Sequence, residues 1–188
     1  MLKRILYALS MAWRYRKMLS AYKCNSALQT SDILALNPLF LKETGIKILI
    51  LDFDGVLAAH GEIVLSPAII SWINSCIQVL GEEKIFVLSN KATTTRAEYF
   101  ARTFKGVKWI FPTRKKPYPD GILQILQLTH TAPQEILVID DRLLTGILAA
   151  VIANVSGCYV TNPIIFFHKR PIEETFFMVL RKIERLLL

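Results

Sequence analysis

Short aliphatic runs that end in polar residues are the feature that most constrains the fold of this chain. The first run, residues 46–53, reads IKILILDF. An almost continuous aliphatic segment of this length is what a strand buried on both faces requires. Further strands are predicted over 84–88, 107–111, 135–139 and 158–161, so the pattern indicates a buried sheet.

Helical segments are predicted between these strands. The clearest begins at Ser66, carries Pro67 in its first turn and ends before Gly81. Strands that alternate with helices favour a mainly parallel sheet with helices on both faces. We therefore expect an α/β fold of the Rossmann-like, three-layer sandwich type. The other predicted helices are 93–104, 121–128, 143–153 and 171–188.

Length and charge set the organisation and the class of partner. The 188 residues, 53% of them hydrophobic, suit one domain with a real core. We predict a basic, amphipathic leader over 1–30 and the domain proper over 31–188. The net charge of +8 favours acidic partners, namely phosphate esters, nucleic acid or anionic lipid, without choosing among them.

Polar side chains that can take part in catalysis or bind a metal follow four of the predicted strands. In a parallel sheet, ligands bind beyond the carboxyl ends of the strands, and these ends lie at one edge. We therefore expect one site there. Its candidate residues are Asp52, Asp54, Ser89, Lys115, Lys116, Asp140 and Asp141.

The pair Asp52 and Asp54 is typical of a site that binds a divalent cation. Two carboxylates at this spacing repel each other unless a cation lies between them, and hard oxygen ligands suit Mg²⁺. Either Asp140 or Asp141 can complete such a site. A carboxylate can also attack phosphorus, while a second one protonates the leaving oxygen.

Four segments together resemble a known family. LDFDGVL at 51–57, LSN at 88–90, KKP at 115–117 and IDDRLLTG at 139–146 resemble, in the right order, the four motifs of the haloacid dehalogenase (HAD) superfamily of phosphatases. The resemblance spans most of the predicted domain. It implies a HAD-like fold and phosphoryl transfer that depends on Mg²⁺.

The resemblance implies a role for each matching position. Asp52 would be the nucleophile and would give one oxygen to Mg²⁺. Asp54 would be the general acid and base and would bind the metal through its carbonyl. Ser89 would donate a hydrogen bond to the phosphoryl group, and Lys116 would hold both Asp52 and the phosphate. Asp141 would be the acidic metal ligand.

The fourth motif departs from the family pattern. Related phosphatases often have Gly-Asp here, with another Asp a few residues on. This chain has Asp140-Asp141, and Gly146 stands at the later position. We expect Asp140 to supply the missing acid, directly or through water.

The chain lacks room for a large cap. Between Gly55 and Lys84 there is space for about one helix. An open site admits large substrates. With this feature and the KKP and LLT segments, the chain is similar to the compact subfamily that includes phosphatidylglycerophosphate phosphatases. Asp54 favours a phosphatase over a dehalogenase, because an oxygen leaving group needs a proton.

Two features favour a lipid phosphate and contact with an anionic membrane. The leader has apolar residues at helical spacing, and such a helix can lie on a bilayer. Near the site, Arg114 and Lys115 are expected to face headgroups, and Asn90 to help position the phosphate. We expect the apolar face of the last helix to cover the sheet. The basic residues of the leader are Lys3, Arg4, Arg14, Arg16, Lys17 and Lys23.

Two other functions stay open at this point. One is a phosphatase of soluble nucleotides or sugar phosphates. The other is a non-catalytic binding module on a HAD scaffold, which has less support because all expected catalytic positions are occupied. No nucleic-acid motif accompanies the charge, so no specific nucleic acid is expected.

We expect a cytoplasmic location, peripheral on the inner membrane face. We expect His60 to lie in a loop near solvent.

Overall fold

The computed structural model describes residues 2–188 and contains a six-stranded sheet in which every neighbouring pair is parallel. The strand order is β1-β6-β5-β2-β3-β4. The predicted α/β fold with a parallel sheet is confirmed. The strands are β1 Gln29–Thr30, β2 Ile48–Leu51, β3 Ile85–Val87, β4 Lys108–Trp109, β5 Ile136–Asp140 and β6 Ser156–Val160.

Eight α-helices surround the sheet within the described residues. Short 3₁₀ turns cover Ser26–Leu28, Ile33–Ala35, Glu82–Lys84 and Pro133–Glu135, and a π-helical turn covers Leu143–Ile147. The helices are α1 Leu2–Arg14, α2 Arg16–Cys24, α3 Pro38–Glu43, α4 Pro67–Leu80, α5 Thr94–Thr103, α6 Asp120–Thr129, α7 Leu148–Ala153 and α8 Pro171–Leu187.

The aliphatic run of β2 is buried on both faces, as its composition predicts. Leu49 and Leu51 pack in a cluster with α4 and α5. Ile48 and Ile50 pack in a second cluster with α6 and α7. Successive side chains of a strand point to opposite faces, so a central strand needs apolar residues at every position. The result is three layers, with helices on both sides of the sheet.

Most predicted elements occur close to their predicted positions, and the helix start at Ser66 is confirmed. The Ser66 side chain accepts a hydrogen bond from the Ile69 N–H. The segment 143–153, in contrast, is not a single α-helix: it begins with the π-helical turn and continues as α7. Strand β1 was not predicted, because two residues show no alternation that a sequence pattern can reveal.

The N-terminal helices pack on the domain. Helix α1 contacts α7 and the π-helical turn. Ala12, Leu19 and Tyr22 are buried in a cluster with residues of these elements, and β1 pairs with β6 at the sheet edge. The division at residue 30 stays a prediction, although residues on both sides of it contribute to the core.

Helix α8 does not cover the sheet with its apolar face, so that prediction was wrong. Its buried residues are Glu174, Arg181 and Glu184, whereas most of its aliphatic and aromatic side chains are exposed. The charged side chains point inward because each meets a charged or titratable partner there. No helix within residues 2–188 has the length and apolar character to cross a bilayer.

Candidate active site

Three carboxylates converge where β2 and β5 end. Asp52 directly follows β2, Asp140 is the last residue of β5, and Asp141 follows it. The two strands are parallel neighbours, so their carboxyl ends meet at one edge. The three side chains are buried, and an oxygen of each lies within 4.8 Å of an oxygen of the others.

The ammonium group of Lys116 lies between two of these carboxylates. Its Nζ is 2.9 Å from Asp52 Oδ1 and 2.5 Å from Asp140 Oδ2. Burial opposes the ammonium form, but the adjacent Asp140 and Asp52 raise the pKa of Lys116 above its ordinary value. Lys116 therefore stays charged and neutralises part of the acidic cluster.

Asn90 positions the Lys116 main chain. The Lys116 N–H donates to Asn90 Oδ1 at 2.7 Å, and Asn90 Nδ2 donates to the Lys116 carbonyl at 3.2 Å. These two hydrogen bonds join the loop after β3 to the loop after β4. The sequence suggested that Asn90 positions phosphate, whereas its contacts in the structure are with the lysine loop.

Burial and mutual repulsion disfavour ionised acids in the cluster. Burial raises the pKa of Asp52 well above its usual range, Lys116 lowers it in part, and Asp140 and Asp141 raise it. Burial also raises the pKa of Asp141 to about 6, against the lowering effect of Arg181. A bound cation would favour the ionised forms of both side chains.

The donor set fits a hard divalent cation. Asp52, Asp140 and Asp141 offer only oxygen ligands, which suit Mg²⁺. Asp141 Oδ1 is buried and has no hydrogen-bond partner among the described residues. A buried carboxylate oxygen without a partner is costly, and a metal ion would satisfy it.

The Asp54 side chain is not part of the cluster of three acids. Arg96 Nη1 donates to Asp54 Oδ2 at 2.9 Å, and Arg96 Nη2 donates to Asp54 Oδ1 at 2.8 Å. The Gly61 N–H lies 3.3 Å from Asp54 Oδ1. The Asp54 side chain is therefore held by a guanidinium.

Glycine is required at position 55 by the turn that directly follows Asp54. Its φ is +91°, which favours glycine, and an added Cβ would lie 2.5 Å from Asp141 Oδ2. Ser89, two residues after β3, is buried at the same sheet edge. Its Oγ accepts the Lys91 N–H at 3.1 Å, so its hydroxyl proton is available to another acceptor.

The fourth-motif departure has a steric explanation. A Cβ added at Gly146 would lie 1.7 Å from Asp140 Oδ2 and 2.0 Å from Asp140 Cγ. The Asp140 carboxyl group thus occupies the space into which a side chain at 146 would project. Asp140 therefore brings a carboxyl group from the end of β5 to the space beside residue 146, and the absence of a side chain at Gly146 leaves room for that group.

Sequence reasoning missed Arg96 and Arg181. Arg181 Nε donates to Asp141 Oδ2 at 2.6 Å, from a position 40 residues further along the chain. Both arginines lie on helices, where an arginine is ordinarily a solvated surface residue. The available signal for Arg181 was a stripe of charges at helical spacing, Glu174, Arg181 and Glu184, along one side of α8.

His60 is buried rather than near solvent, which corrects the prediction. Only 4% of it is exposed. Its Nδ1 lies 3.1 Å from Glu174 Oε2, and its ring stacks on Phe177 with centroids 3.9 Å apart. Helix α8 therefore contacts the loop of the first motif as well as the fourth.

A cavity of about 620 Å³ opens onto the cluster. Its polar floor includes Asp52, Asp54, Ser89, Lys116 and Asp141. Its walls are largely apolar and come from two helices. The wall residues are Ile5, Ala8 and Leu9 of α1, and Phe176, Leu180 and Ile183 of α8.

The remaining two predicted substrate-binding residues differ in position. Lys115 lines the cavity and forms no ion pair with another described residue. Arg114 does not line it. Its Nε donates to Asp120 Oδ1 at 2.8 Å, and its guanidinium lies over the Tyr118 ring. Arg114 is thus engaged within its own loop.

A parallel α/β sheet with a lysine-bridged acidic cluster at its carboxyl edge defines the chain as a phosphatase of the HAD-like class. The model of one family, described as mitochondrial PGP phosphatase, matches residues 15–165. The chain therefore belongs to the mitochondrial PGP phosphatase family.

A solved structure and the curated proteins complete the comparison. The chain is similar to a haloacid dehalogenase-like hydrolase from Streptococcus pneumoniae, with 15% identity and a TM-score of 0.40. The match covers 72% of this chain and 99% of that protein. No curated protein is significantly similar to the chain.

Proposed function

We propose that this phosphatase hydrolyses a membrane lipid phosphate, with phosphatidylglycerophosphate the leading candidate, through an aspartyl-phosphate on Asp52 and with Mg²⁺. The observation that carries the proposal is the position of Lys116. Its ammonium holds Asp52 at the floor of a cavity whose walls are largely apolar. A phosphate can be bound at such a floor while acyl chains contact the walls.

In the first step, a carboxylate oxygen of Asp52 attacks phosphorus and the bond from phosphorus to the leaving oxygen breaks. Lys116 favours the ionised, nucleophilic form of Asp52 and neutralises charge on the phosphoryl oxygens. Ser89 donates a hydrogen bond to one of these oxygens. Asp54, in its acid form, gives a proton to the leaving oxygen of the alcohol.

In the second step, Asp54 takes a proton from water as the water attacks the aspartyl-phosphate. The bond between phosphorus and Asp52 breaks, which releases inorganic phosphate and restores the carboxylate. Asp52, Asp140 and Asp141, with the Asp54 carbonyl, would hold the Mg²⁺. When bound, Mg²⁺ supplies positive charge that offsets the negative charge of the transferring phosphoryl group.

Shape and charge of the cavity support a lipid substrate. Its apolar walls are suited to acyl chains rather than to a sugar or a nucleoside. Arg4 and Lys115 line it and can approach the second phosphate of a headgroup. The description of the family, mitochondrial PGP phosphatase, names the same kind of substrate.

The substrate would be reached at a membrane surface. Helix α1 combines basic residues with exposed Leu2, Ile5, Leu6 and Trp13, a composition that favours peripheral binding to anionic lipid. We infer a peripheral position on an anionic membrane face, as the sequence led us to expect. The particular compartment stays a prediction.

The test is phosphate release from phosphatidylglycerophosphate in detergent mixed micelles with Mg²⁺, beside a nucleoside monophosphate and a sugar phosphate. We expect the lipid to be the best substrate by kcat/KM. Asp52→Asn should lower turnover at least about a thousandfold. Asp32→Asn, the same change at a helix cap away from the site, is the matched control and should keep full activity.

Two outcomes would contradict the proposal. Faster turnover of the soluble esters than of the lipid would assign the enzyme to that class of substrate. Activity that persists in Asp52→Asn would contradict the covalent mechanism. Trapping of phosphate on the protein, by acid quench and mass spectrometry of the peptide that contains Asp52, tests the intermediate directly.

A further inference from the structure

Helix α8 has the reverse of the usual distribution of side chains. Its inward face carries Glu174, Arg181 and Glu184, at positions i, i+7 and i+10 of one helical stripe. Its outward face is largely apolar. Exposed side chains on that face include Ile172 at 87%, Phe176 at 57%, Val179 at 49%, Ile183 at 44% and Leu186 at 85%.

Each inward charge has a partner in a loop of the active site. Glu174 contacts His60, Arg181 contacts Asp141, and Glu184 accepts from Arg142 Nε at 2.8 Å. Glu184 also lies 3.4 Å from the N–H of Leu144 in the π-helical turn. These contacts fix the helix orientation, since rotation about its axis would leave buried charges without partners.

The outward apolar face therefore cannot turn into the core. A surface helix of a soluble protein ordinarily buries its apolar stripe, and adjacent exposed apolar side chains on this scale mark an interaction surface. What covers the face must accept aliphatic and aromatic side chains along the length of α8.

Helix α1 extends the same surface. Leu2, Leu6 and Trp13 are exposed at 69%, 58% and 72%. Ile5 and Leu9 of α1 line the active-site cavity together with Ile183 and Leu187 of α8. The exposed apolar residues of the two helices thus lie on both sides of the cavity into which the substrate must pass.

The charge around this surface selects the occupant. Residues 2–24 contain six basic residues and no acidic one, and Lys182 and Arg185 of α8 are exposed. A second copy of this chain would bring the same positive charge and be repelled. An anionic leaflet attracts this positive charge.

We propose that the apolar faces of α8 and α1 together dock on an anionic phospholipid bilayer, with the mouth of the active-site cavity against the headgroups. This inference rests on the proposed lipid substrate. It adds that α8, through its contacts with Asp141 and His60, joins the membrane-bound surface directly to the catalytic loops.

Flotation of the full chain with vesicles tests the surface without any turnover. The vesicles contain either phosphatidylcholine alone or phosphatidylcholine with phosphatidylglycerol. The variant Ile172→Gln/Leu186→Gln removes two of the most exposed side chains of α8, neither of which lines the cavity. We expect it to lower binding to the anionic vesicles at least about tenfold.

The matched control is Leu39→Gln/Phe40→Gln on α3, where the two side chains are 59% and 60% exposed. Helix α3 packs against α4, on the other side of the sheet from α7 and α1. We expect this variant to float like the wild type. Both variants should hydrolyse para-nitrophenyl phosphate in solution at the wild-type rate, which shows that they fold.

Three results would overturn the proposal. They are failure of the wild type to float with anionic vesicles, flotation of the α8 variant equal to that of the wild type, and a wild-type dimer in sedimentation that the α8 variant converts to a monomer. The last would show a second copy on the face. If the wild type floats with anionic vesicles but does not hydrolyse the lipid in micelles, the result contradicts the proposed lipid substrate and not the docking surface.

Discussion

The Arg96 guanidinium holds the Asp54 carboxylate through two parallel hydrogen bonds, of 2.9 Å and 2.8 Å. Arg96 also donates to the Glu62 carbonyl and lies over the Phe53 ring. Both groups are buried, so this geometry is rigid and specific. The residue proposed as general acid and base is thus oriented by an arginine from α5, a helix that contributes no residue of the four motifs.

Arg96→Gln should lower kcat far more than it changes KM. Without the bidentate contact, Asp54 loses its orientation toward the leaving oxygen, and we expect a tenfold to hundredfold fall. An alkyl phosphate should lose more than para-nitrophenyl phosphate, because a poor leaving group depends more on the proton. Arg96→Lys cannot reproduce the two parallel bonds and should recover only part of kcat. Equal losses for both substrates would argue against orientation of the acid.

Lys116→Met should destabilise the metal-free protein by about 3–5 kcal/mol at pH 7.5, because it leaves Asp52 and Asp140 buried without their shared cation. Lower pH should reduce this loss of stability, since protonation of the two carboxylates removes their repulsion. Urea unfolding at several pH values measures the free energy of unfolding. Lys115→Met, at the exposed neighbouring residue, serves as the control and should unfold like the wild type.

Position 146 and position 140 should be coupled. Asp140→Gly removes one of the two carboxylates that contact Lys116 and the acceptor of the Arg142 N–H. Gly146→Asp alone forces a side chain into the space of the Asp140 carboxyl. Each single change should lower activity and stability. The double variant restores one acid to that space and should recover most of the loss in a double-mutant cycle. Strictly additive losses would show that the two positions do not share one function.

The metal-free protein should become less stable as pH rises through about 6. The pKa of Asp141 is raised to about 6 from its ordinary 3.8, chiefly by burial. Between these two pH values the folded chain keeps a proton that the unfolded chain releases, and this proton stabilises the fold. Its contribution to the free energy of unfolding is complete below about pH 4 and is lost above about pH 6. It amounts to about 3 kcal/mol.

Calorimetry in EDTA and in Mg²⁺ at pH 5 and 7.5 checks this dependence. Mg²⁺ should stabilise the protein strongly at pH 7.5 and weakly at pH 5, where protons compete for the carboxylates. Asp141→Asn should flatten the pH dependence in EDTA. An unchanged slope in that variant would assign the effect to Asp52, whose pKa is raised in the same direction.

The amino-acid sequence by itself determined the layered α/β fold and the edge at which the polar residues gather. An aliphatic run such as β2 can be buried only as a central strand, and parallel strands bring their carboxyl ends together. Asp52, Lys116 and Asp140 were therefore identifiable from their places after predicted strands. Ser66 and Gly81 marked a helix by local chemistry that needs no tertiary contact.

Only the tertiary structure decided which charges meet. Arg96 contacts Asp54 across 42 residues of sequence, and Arg181 contacts Asp141 across 40. A helix pattern shows which residues share a face but not what that face contacts. For this reason α8 was expected to bury its apolar side, whereas the partners that its buried charges meet in the active-site loops turned that side outward.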